Sequence, residues 1–152
     1  MPDPVEVVEA REKTNDKEFF RERVKTMPLL IEWANEEIRD DREILMSAIS
    51  GDAGALEFAS DRLKADKEVI INAAQNDGQV LYFASEELRD DKDVVMAAVG
   101  AKPLIVKYAS LRLRLDKDVA KLAIGKAKKK VTDFFPPEVL EYDEIKEILA
   151  EE

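Results

Sequence analysis

Carboxylates, serines and basic residues are the side chains with which this chain could do chemistry, because its 152 residues include no cysteine and no histidine. Thiol chemistry, disulfides and cysteine-ligated metals are therefore excluded, and the commonest general base and metal ligand is missing. The serines of its Ala-Ser pairs have no histidine to activate them, and no two carboxylates form a recognisable acid–base arrangement. We expect no enzymatic activity, no cofactor and no metal ion.

Two pairs of adjacent aspartates, Asp40-Asp41 and Asp90-Asp91, could attract a hard cation such as calcium. A calcium loop needs oxygen ligands that alternate around a glycine turn, and that alternation is absent. An aspartate before a helix, by contrast, accepts hydrogen bonds from the free N–H groups of the first turn. Helix capping is therefore the favoured interpretation of both pairs.

Four basic residues form a column at intervals of 25 positions: Arg39, Lys64, Arg89 and Arg114. This basic column could bind a phosphate backbone or an acidic peptide. Alternatively, it places one cation at the negative C-terminal end of each helix. Because an acidic residue lies close by in most copies, the second interpretation is favoured.

Aromatic residues followed by alanine keep the same spacing and form an aromatic column: Trp33, Phe58, Phe83 and Tyr108. These rings could stack nucleic-acid bases or line a groove. They flank the apolar stripe of the predicted helices, so packing between successive repeats is the favoured interpretation.

The predicted first helices also carry apolar residues outside their main apolar stripe. These residues form an apolar row that consists of Met46, Ile71 and Met96. Exposed apolar residues on stacked helices suit partner binding. We take this row as the candidate partner-binding surface. The alternative is that adjacent repeats or the terminal segments bury it.

A repeat of 25 residues must position all of these side chains. Each copy begins with an acid–base–acid triplet and two apolar residues, at Asp16, Asp41, Asp66, Asp91 and Asp116. In the third copy apolar residues recur with helical spacing from Val69 to Ala74, Asn76-Asp77-Gly78 predicts a turn, and a second apolar helix follows. Since such a period is typical of stacked repeats, we predict an all-α fold: a short αα-solenoid of 25-residue two-helix repeats with helical caps.

Two adjacent columns of the predicted second helix hold only small residues. The first is Ala34, Ala59, Ala84 and Ala109, and the second is Asn35, Ser60, Ser85 and Ser110. We expect both columns to mark places where two helices approach closely.

The predicted domain organisation is a single repeat domain over residues 1–152. Residues 1–15 form an N-terminal cap, with Val5 and Val8 on one side and Val7 as an optional third member. Residues 16–125 hold four full repeats and a half repeat. Residues 126–152 form a basic linker and a C-terminal capping helix, and Phe134-Phe135-Pro136-Pro137 predicts that no second helix of the repeat type precedes that cap.

A family resemblance lies in two strings, FASEELRDDKDVVMAAV from Phe83 and YASLRLRLDKDVAKLAI from Tyr108. They resemble the tandem repeat catalogued as domain of unknown function 4116. The resemblance covers roughly residues 16–125 and implies a small all-α repeat module. It implies no activity, since none is established for that family.

Charge and hydropathy limit the partners and the cellular location that we expect. The net charge of −10 repels nucleic acid and anionic membranes, so neither is expected as a partner. No apolar run is long enough to span a bilayer and the N-terminus lacks a signal pattern, so we expect a cytoplasmic monomer, with leaderless export left open. The predicted function is a non-catalytic protein–protein interaction module that binds another protein or a peptide. The alternatives are a binder of an anionic polymer and a structural spacer without a specific ligand.

Overall fold

The computed structural model describes residues 4–151, and these form helices and turns with no β-strand among them. The predicted all-α repeat fold is confirmed. The chain divides into two compact units, Met1–Val69 and Ile70–Glu152. The single domain expected over residues 1–152 stays a prediction. No helix within residues 4–151 has both the length and the apolar character that crossing a bilayer requires.

Each repeat begins with an α-helix, and an aspartate caps it. These first helices are Lys17–Arg23, Arg42–Gly51, Lys67–Asn76, Lys92–Ala101 and Lys117–Ala127. The Asp41 carboxylate accepts a hydrogen bond from the Ile44 N–H at 3.0 Å, and Asp116 accepts one from the Val119 N–H at 3.2 Å. Capping is thereby confirmed for Asp41, and Asp91 caps in the same way.

The second helix of each repeat is interrupted, contrary to the single helix predicted. A 3-10 helix comes first, in Pro28–Trp33, Ala53–Phe58, Gly78–Tyr82 and Pro103–Tyr108. A one-turn α-helix follows it, in Glu36–Arg39, Asp61–Lys64, Glu86–Arg89 and Leu111–Arg114. At the break Ala34, Ala59 and Ala109 adopt extended backbone. For Ala59 φ is −64° and ψ is 155°, and this ψ lies far outside the helical range.

The asparagine and serines of the second small column cause this interruption. Each caps a one-turn helix, as when the Ser60 hydroxyl accepts a hydrogen bond from the Leu63 N–H at 3.2 Å. The Ser60 N–H also donates to the Arg39 carbonyl at 3.3 Å and the Ser110 N–H to the Arg89 carbonyl at 3.0 Å, so these two serines lie close to the one-turn helix of the preceding repeat, as expected. The alanine before each cap is buried, with an exposed fraction of no more than 7%.

Apolar side chains of the first helices and the 3-10 helices fill the core of each unit. In Met1–Val69 the largest fully buried ones include Phe20, Ile31 and Leu45, and in Ile70–Glu152 they include Leu81 and Ile124. No charged side chain is buried within residues 4–151. The charged side chains of these residues therefore lie at least partly at the surface.

Basic residues of the triplets contact acids of the following repeat in both units. In the first unit, the Lys17 Nζ lies 2.5 Å from the Asp41 Oδ2. In the second unit, the Lys92 Nζ lies 2.9 Å from the Asp116 Oδ2 and 2.7 Å from the Asp118 Oδ2. The triplet therefore combines a helix cap with an ion pair between repeats.

A second contact between repeats joins an aspartate, a serine and an arginine, and we call it the Asp–Ser–Arg clamp. In the first unit Asp40 accepts hydrogen bonds from the Ser60 hydroxyl and from the Arg62 Nε, the latter at 2.9 Å. In the second unit Asp90 accepts them in the same way from Ser110 and Arg112. These hydrogen bonds, the serine's first, hold the pKa of both aspartates below its ordinary value.

The fifth repeat is more complete than predicted. A 3-10 helix, Lys128–Phe134, and a one-turn helix, Pro137–Leu140, follow its first helix, in the order found in the other repeats. Helix Asp143–Ala150 then folds back against Lys117–Ala127, with Ile145 buried and the Lys117 Nζ 3.3 Å from the Glu144 Oε1. The predicted capping helix therefore occupies the place of a further first helix.

The N-terminal helix, Val5–Glu12, packs differently from the prediction. Its buried residue is Ala10 and Val7 is half-buried, whereas Val5 and Val8 are exposed. The Arg11 guanidinium lies 4.2 Å from the centre of the Trp33 ring, which attaches the helix to the first repeat through a cation–π contact. Residues 1–3 of the predicted cap lie outside the described residues.

Candidate functional site

Three exposed large apolar residues of the repeats, Leu29, Tyr82 and Leu104, fall at a fixed pair of positions on the 3-10 helices. A fourth, Leu111, lies on the one-turn helix Leu111–Arg114. A 3-10 helix has three residues per turn, so side chains three positions apart lie on the same side. In Gly78–Tyr82 this side carries Gln79 and Tyr82, and in Pro103–Tyr108 it carries Leu104 and Lys107. Tyr82 is 57% exposed and Leu104 43% exposed, whereas the residues between these positions are buried.

An open groove of about 250 Å³ lies between these two 3-10 helices, and we call it the Tyr82 groove. The rings and aliphatic side chains along it are Tyr82, Phe83, Leu104, Ile105 and Tyr108. The centres of the Tyr82 and Tyr108 rings are 5.0 Å apart and the ring planes meet at 69°. This edge-to-face contact holds Tyr82 beside the groove although the side chain is exposed.

The charge around the Tyr82 groove is positive. Lys102 and Lys107 line it, and the Lys107 Nζ lies 4.9 Å from the centre of the Tyr108 ring. The next 3-10 helix, Lys128–Phe134, packs against Pro103–Tyr108 and carries two exposed lysines, Lys129 and Lys130, and one exposed acid, Asp133. The groove is therefore a basic and apolar surface on a chain whose net charge is −10.

The first unit carries a matched surface with the opposite charge. Leu29, 46% exposed, holds the same repeat position as Leu104 and lines a groove of about 310 Å³. Glu32, which also lines this groove, stands where Lys107 stands, because both this pair and the two leucines are 75 residues apart. Asp52 adds a second acid to the groove. One backbone motif thus presents a leucine among acids in one unit and a leucine among lysines in the other.

The predicted apolar row lies on the first helices, away from these grooves. Met46, Ile71 and Met96 are each half-buried. Met46 belongs to the first unit, and Ile71 and Met96 belong to the second. Partner binding by this row stays a prediction.

The basic column makes contacts inside the protein. The Arg39 Nη2 donates to the Glu32 carbonyl, the Lys64 Nζ to the Glu57 carbonyl at 2.7 Å, and the Arg114 Nη1 to the Phe134 carbonyl at 3.0 Å. Arg89 lies 3.9 Å from the Glu86 carboxylate. These contacts support the favoured interpretation, in which each cation completes a helix end, and anion binding by the column stays a prediction.

The aromatic column is half-buried in all four copies. Its members are neither core residues nor free stacking surfaces: Trp33 contacts Arg11, and Phe83 and Tyr108 line the Tyr82 groove. Sequence reasoning missed Tyr82 and Leu104 as candidate residues. Exposed residues on one side of a 3-10 helix are three positions apart, and a search with the α-helical period of 3.6 residues does not detect that spacing.

The interrupted helical repeats and their caps define an all-α repeat protein of the α-solenoid class. The chain belongs to the family described as Domain of unknown function (DUF4116), whose model matches residues 16–64, 41–89 and 66–110. The resemblance seen in the sequence is thereby confirmed. No curated protein and no solved structure matches the chain.

Proposed function

We propose that this protein is a non-catalytic protein–protein interaction module whose working surface is the exposed side of its 3-10 helices. The observation that carries the proposal is the exposure of Tyr82 and Leu104 beside an open groove. Aromatic side chains are enriched at protein interfaces, where they supply a large contact area. An exposed tyrosine held in place by a second ring fits that role.

The repeat pattern supports the same conclusion. The buried pairs of the 3-10 helices are all aliphatic, from Leu30-Ile31 in the first repeat to Ile105-Val106 in the fourth. The exposed positions change instead, from Leu29 and Glu32 in the first repeat to Leu104 and Lys107 in the fourth. A constant core that supports a varied surface is how repeat proteins build recognition sites.

The partner under this proposal is another protein or a peptide, bound by a cytoplasmic monomer. The Met46, Ile71 and Met96 row is retained as the second candidate surface. An anionic polymer bound through Arg39, Lys64, Arg89 and Arg114 has less support, because their side chains contact carbonyls and carboxylates of the protein itself. A structural spacer is the remaining alternative.

Affinity capture from a lysate of the source cells, read by mass spectrometry, tests the proposal. The bait proteins are the wild type, a Tyr82→Ala/Leu104→Glu variant and a Met46→Glu/Ile71→Glu/Met96→Glu variant, each with its helical circular dichroism verified. We expect a partner that the wild type retains and the Tyr82→Ala/Leu104→Glu variant loses.

The other outcomes separate the alternatives. Loss in the triple variant alone would place the working surface on the apolar row of the first helices. Retention by both variants would refute both surfaces. Absence of any partner of the wild type would favour the spacer.

A further inference from the structure

We propose that the Tyr82 groove binds an acidic peptide segment in which an apolar side chain is flanked by aspartate or glutamate. This inference rests on the proposed interaction function and specifies the chemistry of the partner. Three properties of the groove lead to it: its apolar lining, its size and the charge of its rim.

The lining and the size point to a side chain as the occupant. Tyr82, Leu104 and Tyr108 offer apolar surface that is open to solvent. At about 250 Å³ the groove is smaller than the ~300–1,000 Å³ typical of sites for whole small molecules. One or two apolar side chains of a peptide fit such a space, and their burial removes exposed apolar surface from water.

The rim points to acidic neighbours of that side chain. Lys102 and Lys107 line the groove. On the adjoining 3-10 helix the exposed Lys129 and Lys130 outnumber the exposed Asp133. Carboxylates beside the apolar anchor would lie near these ammonium groups, and complementary charge favours both specificity and the rate of association.

The same charges disfavour a long polyanion. A nucleic acid would extend beyond the basic patch onto a protein of net charge −10, where repulsion opposes it. A short acidic segment contacts only the patch. The edge-to-face packing of Tyr82 on Tyr108 also leaves less free ring surface for stacking on bases.

The matched surface of the first unit provides an internal control. Leu29 has nearly the same exposure as Leu104 but shares its groove with the acids Glu32 and Asp52. An acidic peptide should therefore be repelled at Leu29 and attracted at Leu104, although the backbone motif is shared.

Fluorescence anisotropy on the full chain tests the inference directly. The probe is a labelled peptide with a Leu-Phe pair flanked by three glutamates on either side. The comparison probes replace the glutamates by lysines, replace Leu-Phe by Ala-Ala, or consist of a short oligouridine. We expect the wild type to bind the first probe at low salt and each of the others at least about tenfold more weakly.

Three variants locate the site. Lys102→Glu/Lys107→Glu and Leu104→Glu should each weaken binding of the acidic probe by about tenfold or more, whereas Leu29→Glu should leave it unchanged. All four substitutions in these variants fall on exposed or half-buried residues, and circular dichroism checks that the helices remain.

Several results would overturn the inference. These are no binding of the acidic probe, equal binding of the lysine-flanked probe, tighter binding of oligouridine, or loss of binding through Leu29→Glu. Concentration-dependent dimerisation that Leu104→Glu and Leu29→Glu both abolish would assign the groove to a second copy of this chain instead. If the acidic probe fails while capture from lysate still depends on Tyr82 and Leu104, the partner chemistry is wrong and the interaction function stands.

Discussion

Two glycines near the ends of first helices allow the structure to be tested through stability. Gly100 lies in Lys92–Ala101 and Gly125 in Lys117–Ala127, and no atom outside the local chain lies within 4 Å of a Cβ built on either. Alanine at these positions meets no neighbour and removes the entropic cost that glycine imposes on a helix, which is about 1 kcal/mol in a helix interior. In the last turn we expect about half of that value at each position.

The Gly100→Ala/Gly125→Ala variant should therefore raise the free energy of unfolding by about 1 kcal/mol. For a chain of this size that corresponds to a rise in Tm of about 2–4 °C. Thermal unfolding followed by circular dichroism measures it. A Tm that is unchanged or lower would refute the open space assigned to these two positions.

Gly51 is the matched control, because it lies at the end of Arg42–Gly51 but faces a neighbour. A Cβ there would lie 2.6 Å from the Cγ of Pro28, well inside the ~3.5–4.0 Å of an ordinary carbon contact. The proline ring has little freedom to move aside, so Gly51→Ala should overpack at a cost of about 1–3 kcal/mol and lower the Tm. A Tm that rises as in the double variant would show that the packing against Pro28 is wrong.

Three further substitutions test the caps, the clamp and the buried alanine column. Arg112→Gln should raise the pKa of Asp90. The stability that the lowered pKa provides is present above pH ~4 and is lost as the pH falls through the folded pKa, so this variant should melt below the wild type at pH 7, by a difference that shrinks as the pH falls below ~4. Asp116→Ala removes a helix cap and should lower the free energy of unfolding by about 1 kcal/mol, measured by denaturant unfolding. Asp116→Asn keeps the cap and should lower it by less. Equal losses of stability in the two variants would contradict the capping role. Ala84→Leu should cost about 1–3 kcal/mol because Ala84 is buried, and Ala101→Leu, at an exposed site, should leave the denaturation midpoint unchanged.

The first helices could be predicted from the sequence because local signals agree there. An aspartate precedes each helix and apolar residues follow with helical spacing, as in Asp91 with Val94, Val95 and Ala98. The interruption of the second helix could not be predicted from apolar spacing, because buried residues continue across it. Its local signal is a capping residue followed by an acid, as in Ser85-Glu86, and the small size of the serine alone does not reveal this capping role.

The end of the repeat array was mispredicted for a related reason. Pro136-Pro137 suggested that the repeat pattern stops, because proline breaks a helix from within. Pro137 instead stands in the first turn of Pro137–Leu140, where its missing N–H costs nothing.

The candidate site was only partly accessible to sequence reasoning. Tyr108 and Phe83 were singled out as members of the aromatic column, but Tyr82 breaks a column in which the other members are Glu32, Glu57 and Lys107. A search for residue types that recur every 25 positions does not detect Tyr82, because the surface that it forms depends on a residue that differs between the repeats. Only the 3-10 geometry places Tyr82 and Leu104 along one groove.

The spacing of the Asp–Ser–Arg clamps determines how many residues must be duplicated together to lengthen this repeat array. The two clamps are 50 residues apart, and the intermediate copy has Ala65 and Glu87 at the equivalent positions. Duplicating residues 16–65 would add a block that carries its own Asp40, Ser60 and Arg62. Duplicating residues 41–65 alone would give the second copy of Ser60 and Arg62 an alanine, Ala65, in the position that Asp40 holds in the clamp. Ala65 has no carboxylate to accept their hydrogen bonds. The cassette for building longer versions of this protein is therefore a pair of repeats.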